Sequence, residues 1–444
     1  MSLQDFGYKE QLNRALTLKD LIIYGMIFMV PIAPYSVFGF VWNDARGMVP
    51  LAYLVGLAGM FFTALSYAAM SRAFPLAGSV YTYAQRGLHE VAGFFSGWLI
   101  LLDYILVPSL LYLFSAVALR PIFPSVPSWA WLSGFIAFNA TVNLLGIEFT
   151  ARVNRYMLAM ELVTLALFLA LGLMALYRGA GAGGLTLRPI YDPRVFTLST
   201  VAGATSIAVL SFLGFDGIST LSEESRASEN AVGRATVLSL GLVGALFMLQ
   251  TWVAADLARG MHFAAPETAF YEVAERAGGS WLRLVTILAV VIASAIANAM
   301  AAQAAVSRIL FAMARDGKLP SLLARVHPRY KTPYVSTLAV AVISLLVGVL
   351  FADRVDDLTR VVNFGALSGF VLLHLSVVTH YFFRLRSGDW LRHLVFPLTG
   401  LVIIVYVLYE MDHAAKILGA CWIALGILYF LVLALARKKI ALKI

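Results

Sequence analysis

Residues 206–225 read SIAVLSFLGFDGISTLSEES, an apolar run long enough to cross a bilayer but interrupted near its middle by Gly214, Asp216 and Gly217. A second interruption lies in MIFMVPIAPYSVFGFV, residues 26–41, where Pro31, Pro34 and Gly39 fall close to the centre of the first apolar run. Proline has no N–H to donate and glycine is a poor helix former, so both stretches free backbone polar groups. Lipid cannot hydrogen-bond those groups, and a broken helix is tolerated only beside protein or a wet cavity. The two breaks lie five spans apart, at corresponding places in two halves of opposite topology, which predicts a polar site at the bilayer midplane. The cut helices expose carbonyls at some ends and N–H groups at others, and a carbonyl rim suits an ammonium group.

Outward from these breaks the chain keeps the same character. Of its 444 residues 61% are hydrophobic and 13% charged, against roughly 25% charged in an ordinary soluble domain, and the mean hydropathy is +0.84. A soluble enzyme does not fit that composition. A spanning helix takes about 20 apolar residues. Apolar runs of that length lie at 20–42, 48–70, 91–119, 129–147, 153–176 and 199–222, then at 235–257, 282–312, 334–351, 359–383, 394–410 and 414–436. Twelve spans put both termini on one side. With that side inside, roughly twice as many of the 33 basic residues fall on inner as on outer segments, so the net charge of +9 reads as loop charge under the positive-inside rule rather than as a nucleic-acid surface. The first residues, MSLQDFGYKEQLNRALTLKD, lack the apolar core of a signal peptide and read as a cytoplasmic arm. The single cysteine, Cys421, leaves no partner for a disulfide or a shared thiolate metal site. Among the histidines only His374 and His380 share a span, six residues apart, which is not metal-ligand spacing.

Most of the 24 acidic residues sit in loops or at span ends, but Asp103, Glu161 and Asp216 fall inside apolar runs. A charge at mid-membrane costs roughly 2.5 to 3.5 kcal/mol even on the lenient insertion scale, so an ionisable group there is a functional candidate by default. At about 1.5 Å per residue, Asp103 lies roughly 18 Å along the third span and Glu161 roughly 12 Å along the fifth, while Asp216 sits in the sixth-span break. No Lys or Arg shares that depth. Such acids are protonated, hydrogen-bonded, or neutralised by something that comes and goes, and a cationic substrate and a coupling proton both qualify. Aromatic faces attract ammonium groups; of those near the breaks, Tyr35, Tyr104 and Phe215 are the candidates because of their neighbours.

The strings FPLAGSVYTYAQRG from Phe74, SFLGFDGISTLSEES from Ser211, SRILFAMARDGKLP from Ser307 and HPRYKTP from His327 resemble those of the amino acid–polyamine–organocation superfamily of secondary transporters, over nearly the whole chain. Within it, GWLILLDYILVP from Gly97 and VNFGALSGFVLLHLSV from Val362 resemble bacterial putrescine importers. The resemblance implies an all-α, LeuT-like integral membrane protein of about twelve helices. Residues 1–19 would form a cytoplasmic arm, 20–383 a ten-helix core of two inverted five-helix repeats, 384–436 two peripheral helices and 437–444 a basic cytoplasmic tail. It also implies uptake of a small cation, a polyamine such as putrescine, across the inner membrane by proton symport with alternating access, without a cofactor; sequence does not separate sodium from the proton. The substrate would meet Asp216 and the broken spans, with Asp103 as a second anchor oriented by Tyr104, and Tyr35, Ser36, Gly214 and Phe215 around it. Glu161 would carry the proton, at the place where several proton-coupled amino acid carriers of the superfamily have a lysine. Two other readings stay open: an amino acid symporter or exchanger of the same superfamily, and a membrane nutrient sensor that binds without transporting.

Overall fold

The structure, a computed structural model, describes residues 16–76, 79–146, 151–222, 225, 230–263, 265–315 and 319–435. The basic tail 437–444 and most of the N-terminal arm lie outside the described residues. Among the described residues nine helices are long and apolar enough to cross a membrane, and a bent pair, α1 (Leu18–Met29) and α2 (Pro34–Asp44), makes a tenth if it is one span. Two further helices stand where the fourth and ninth spans are expected, α6 (Ser128–Leu145) and the shorter α13 (Tyr334–Leu350). The others are α3 (Val49–Ala73), α5 (Glu90–Leu119), α7 (Ala151–Tyr177), α8 (Leu198–Ala208) with its 3-10 continuation, α9 (Ala231–Leu257), α11 (Ser280–Val291) running into α12 (Ala299–Arg315), α14 (Val355–Val377), α15 (Phe396–Glu410) and α16 (His413–Leu435). A short α4 (Ser79–Gly87) precedes α5, and α10 (Ala269–Gly278) precedes α11.

Local chemistry makes each break. α1 opens with a capping box, Thr17 Oγ1 accepting from Asp20 N at 3.3 Å and the Asp20 carboxylate accepting from Thr17 N at 3.0 Å. It stops at Val30, whose φ of +51° is rare for a β-branched residue. Pro34 opens α2 at the one turn where a missing N–H does no harm, and the two pieces meet at 55°. The sixth span is broken by glycine instead: α8 tightens into a 3-10 turn at Val209–Phe212, Gly214 takes φ +108°, and a second 3-10 segment runs over Phe215–Leu221. A β-carbon on Gly214 would stand 2.8 Å from the Phe28 carbonyl oxygen, so only glycine lets the two broken spans touch. A third interruption carries no signal in the sequence: Ile292–Asn298, between α11 and α12, is a π-helix although it holds neither proline nor glycine.

Packing ties the spans together. A β-carbon on Gly365 of α14 would lie 2.9 Å from the Asp103 backbone nitrogen, so α5 and α14 approach backbone to backbone beside the acid. His374 is fully buried, with Ser66 and Thr63 of α3 at 2.9 and 3.2 Å from its ring nitrogens. On the periphery, Trp98 of α5 and Trp422 of α16 stack at 4.7 Å, and each indole N–H donates to the other's backbone carbonyl, at 2.9 and 2.8 Å. The segment after Glu267 folds as α10, with one face turned into the bundle. Its Ala269, Phe270, Tyr271, Val273 and Ala274 are buried, with Phe270 stacked on Tyr35 at 3.7 Å and close to Phe168 at 4.7 Å.

Candidate substrate site

The three interruptions enclose one cavity of about 100 Å³, several times what a single water needs. The first break contributes Phe28, Met29, Val30, Ala33 and Ser36; the sixth span Ser211, Gly214, Asp216 and Gly217; the π-segment Ser294 and Asn298. α5 supplies Asp103 and Tyr104 and, one to three turns further on, an apolar wall of Val107, Leu110, Leu111 and Phe114. The lining therefore has two carboxyl groups, a few neutral polar groups, no lysine or arginine, and a greasy face.

The two carboxyls are held differently. Asp216 is 5% exposed; its Oδ1 accepts from Gly214 N at 3.2 Å and its Oδ2 from the Tyr104 hydroxyl at 3.1 Å. Asp103 is 6% exposed and its Oδ1 has no hydrogen-bond partner among the described residues. Tyr104 thus orients Asp216, across the cavity, and not its chain neighbour Asp103 as the sequence predicts. A buried carboxyl oxygen without a partner is unfavourable unless a donor arrives, by about 1 to 3 kcal/mol or more if it is charged.

Of the other residues singled out from sequence, Ser36 and Gly214 line the cavity, while Tyr35 and Phe215 stand behind it. Tyr35 is stacked against Phe270 and edge-on to Phe168 at 5.9 Å; Phe215 packs on Tyr67 and Phe370, each at 5.7 Å. Glu161 is not in the lining. It is 2% exposed on a buried stripe of α7 that also carries Leu158, Leu165 and Phe168, and its Oε2 has no hydrogen-bond partner among the described residues. Sequence reasoning missed Ser294 and Asn298, whose orientation depends on the π-turn, and the apolar wall, which reads as ordinary span. Among the described residues no three His, Cys, Asp or Glu side chains converge as a metal ion requires.

The carbonyl rim is also not bare. Gln250 of α9 donates to the Pro31 carbonyl at 2.9 Å, Asn298 to that of Phe28 at 3.4 Å, and Asn363 of α14 to those of Ser206 and Ile207 at 2.7 and 3.4 Å. Asn139 of α6 donates to Ala295, inside the π-segment, at 2.7 Å. Four neutral carboxamides thus satisfy carbonyls that the interruptions leave exposed, which a soluble protein would leave to water.

The likeness to known proteins makes this all-α membrane bundle with its interrupted spans a transporter rather than an enzyme. The chain belongs to the amino acid permease family, whose model matches residues 21–435. It is similar to the low-affinity putrescine importer PlaP of Escherichia coli K12, 32% identical over 94% of this chain and 93% of that one. The branched-chain amino acid permease BcaP of Bacillus subtilis is 25% identical over 95% and 94% of the two chains. Mouse cationic amino acid transporter 4 is 26% identical over 85% of this chain and 61% of its own length.

Proposed function

We propose that this permease imports a small organic cation, a polyamine such as putrescine, by proton symport across the bacterial inner membrane, with both termini cytoplasmic and no cofactor. The observation that carries the reading is the pair of buried carboxyls, Asp103 and Asp216, lining a cavity that has no lysine or arginine. One ammonium group meets Asp216, prepositioned by Tyr104 and Gly214, and Asp103 is the second anchor; the methylene chain lies along Val107, Leu110 and Leu111. Exchange of a buried carboxyl's missing partner for an ammonium is favourable, since hydrogen bonds to charged groups contribute about 1.5 to 3 kcal/mol. Glu161, buried and off the cavity, is the proton site.

A substrate with its own carboxylate needs N–H donors, and the first break offers few. Positions 31 and 34 are prolines, and the N–H groups of Ala33, Tyr35 and Ser36 already donate to Val30, Ile32 and Ala33 at 2.8, 3.0 and 3.2 Å. The amino acid reading keeps one observation in its favour, the likeness to a branched-chain amino acid permease. Uptake of labelled putrescine into proteoliposomes, with amino acids and diamines as competitors, decides between the two. Asp103→Asn and Asp216→Asn should each lower putrescine uptake at least about tenfold; uptake untouched by both changes would sink the site assignment, and counterflow without accumulation in the parent protein would leave a sensor.

A further inference from the structure

The corner that joins α14 to α15, residues 378–395, is rich in arginine and at the same time leaves large apolar side chains uncovered. Two π-helical turns, Val378–Arg384 and Leu391–Val395, flank it. Between them the chain folds back on itself. The N–H groups of Leu385 and Ser387 donate to the carbonyls of His380 and Tyr381 at 3.0 and 2.9 Å, Ser387 Oγ and His393 Nδ1 lie 2.7 Å apart, and the rings of Tyr381 and His393 stack in parallel at 4.1 Å. The Tyr381 hydroxyl fastens the corner to α3 by donating to the Ala69 carbonyl at 2.9 Å, and Arg384 fastens it to the end of α4 by donating to the carbonyls of Arg86 and Leu88. A corner tied at so many points holds its surface side chains in fixed places.

Two kinds of surface meet there. Arg386 and Arg392 are exposed, as is Arg72 at the end of α3, which lies close enough to the Tyr381–His393 stack for its charge to act on both rings. The one acid of the corner, Asp389, accepts from the Arg392 N–H at 3.1 Å and pairs with the Arg392 guanidinium at 3.5 Å. Neither Arg72 nor Arg386 has an acidic partner among the described residues. Arg386 is also held at φ +49°, a conformation uncommon for a residue with a β-carbon. Beside these charges Trp390 is exposed, its ring edge-on to Phe382 at 5.4 Å. From Leu391 an exposed apolar stripe continues along α15 through Val395, Leu398, Val402 and Val405, at helical spacing.

Tryptophan and arginine at the end of a span mark the boundary between hydrocarbon and water. A soluble anion has no use for the apolar stripe, and hydrocarbon has no use for arginines without acids; a molecule with both a phosphate and acyl chains uses both. We propose that the corner is a binding site for an anionic phospholipid, with the phosphate diester between Arg72, Arg386 and Arg392, the headgroup beside Trp390 and one acyl chain along the α15 stripe. A zwitterionic lipid fits it less well, because its ammonium group meets the same guanidinium groups and the only nearby carboxylate is already taken by Arg392. Since Arg72 belongs to α3 and Arg392 to the approach to α15, the bound phosphate ties the end of α3 to the peripheral helices. The site is independent of the cargo and of the coupling ion.

The test uses the whole protein in phosphatidylcholine nanodiscs, into which phosphatidylglycerol or phosphatidylcholine with brominated acyl chains is titrated. Bromine quenches tryptophan, and the Trp390 signal is the difference between the parent and Trp390→Phe. A basic residue near an anionic surface is worth about a fivefold preference, so three set a ceiling of about a hundredfold. Half-maximal quenching of Trp390 is expected at a mole fraction at least about tenfold lower for the brominated phosphatidylglycerol than for the brominated phosphatidylcholine. Arg72→Gln, Arg386→Gln and Arg392→Gln together should bring the two lipids level. Arg325→Gln, Arg329→Gln and Lys331→Gln together, on an exposed basic stretch elsewhere, should leave the preference intact. Equal quenching by the two lipids in the parent would overturn the site, whatever the variants do. A preference lost equally in both triple variants would mean diffuse attraction and overturn it too. Relief of quenching by an excess of soluble glycerol phosphate would make the corner a site for free anions, against the lipid assignment.

Discussion

The first and sixth spans are broken at corresponding places by opposite means. In the first, prolines at 31 and 34 remove donors, and Val30 sits in a strained left-handed conformation. In the sixth, Gly214 supplies the unusual backbone without strain and Asp216 turns back on its N–H. The first break therefore exposes acceptors, which Gln250 and Asn298 from other spans cap, whereas the sixth carries its own charged group into the cavity. One break is held by neighbouring spans; the other holds its own carboxyl, through Gly214 and Tyr104. Their point of contact is Gly214 against Phe28, where the two breaks meet backbone to backbone.

The largest effect that tests this contrast is expected at that contact. Gly214→Val meets both a φ reserved for glycine and a backbone oxygen 2.8 Å away, and should abolish folded, transport-competent protein, read by yield and thermal melting in detergent. Pro31→Ala, on the proline side, should leave a folded protein. If the two behave alike, the asymmetry is wrong. Next, Asn363→Leu leaves two buried carbonyls without their donor and Gln250→Leu one break carbonyl, so the first should lower thermal stability more than the second. Interhelical hydrogen bonds in membrane proteins average about 0.6 kcal/mol and reach about 1.7, which sets the scale. Tyr104→Phe removes the side-chain donor to Asp216 and leaves the Gly214 N–H, and should weaken putrescine binding about three- to tenfold in a thermal-shift titration, without the loss expected of Asp216→Asn. Smallest, and outside both breaks, Thr17→Ala deletes the cap of α1 and should cost about 1 kcal/mol or less with uptake preserved.

Much of this is legible from residues alone because the breaks are written in proline, glycine and an acid. Each of the twelve apolar runs falls on a helix or a broken helix among the described residues to within a few residues, and Asp103, Tyr104 and Asp216 come together as neighbours of one cavity. The π-segment Ile292–Asn298 is illegible, since IASAIAN has no breaking residue and its bulge is stabilised from outside, by Asn139. For the same reason Asn298 cannot be turned toward the cavity by sequence. The partner of Tyr104 is misplaced by sequence because a hydroxyl on a helix chooses among spans brought together by packing, a choice that chain proximity to Asp103 does not record.

The paired indoles of Trp98 and Trp422 carry a consequence for how the molecule is made. Their reciprocal bonds join residues 324 positions apart. At a synthesis rate of about 5 to 20 residues per second, the third span waits roughly 15 to 65 s in the bilayer before its partner emerges. During that interval the Trp98 N–H faces lipid or a surrogate, and the helix that bears Asp103 and Tyr104 is not yet secured at its outer flank. The last span, remote from the cavity, thus completes this contact, and a chain cut short before residue 422 would leave the Trp98 N–H without the carbonyl that accepts it.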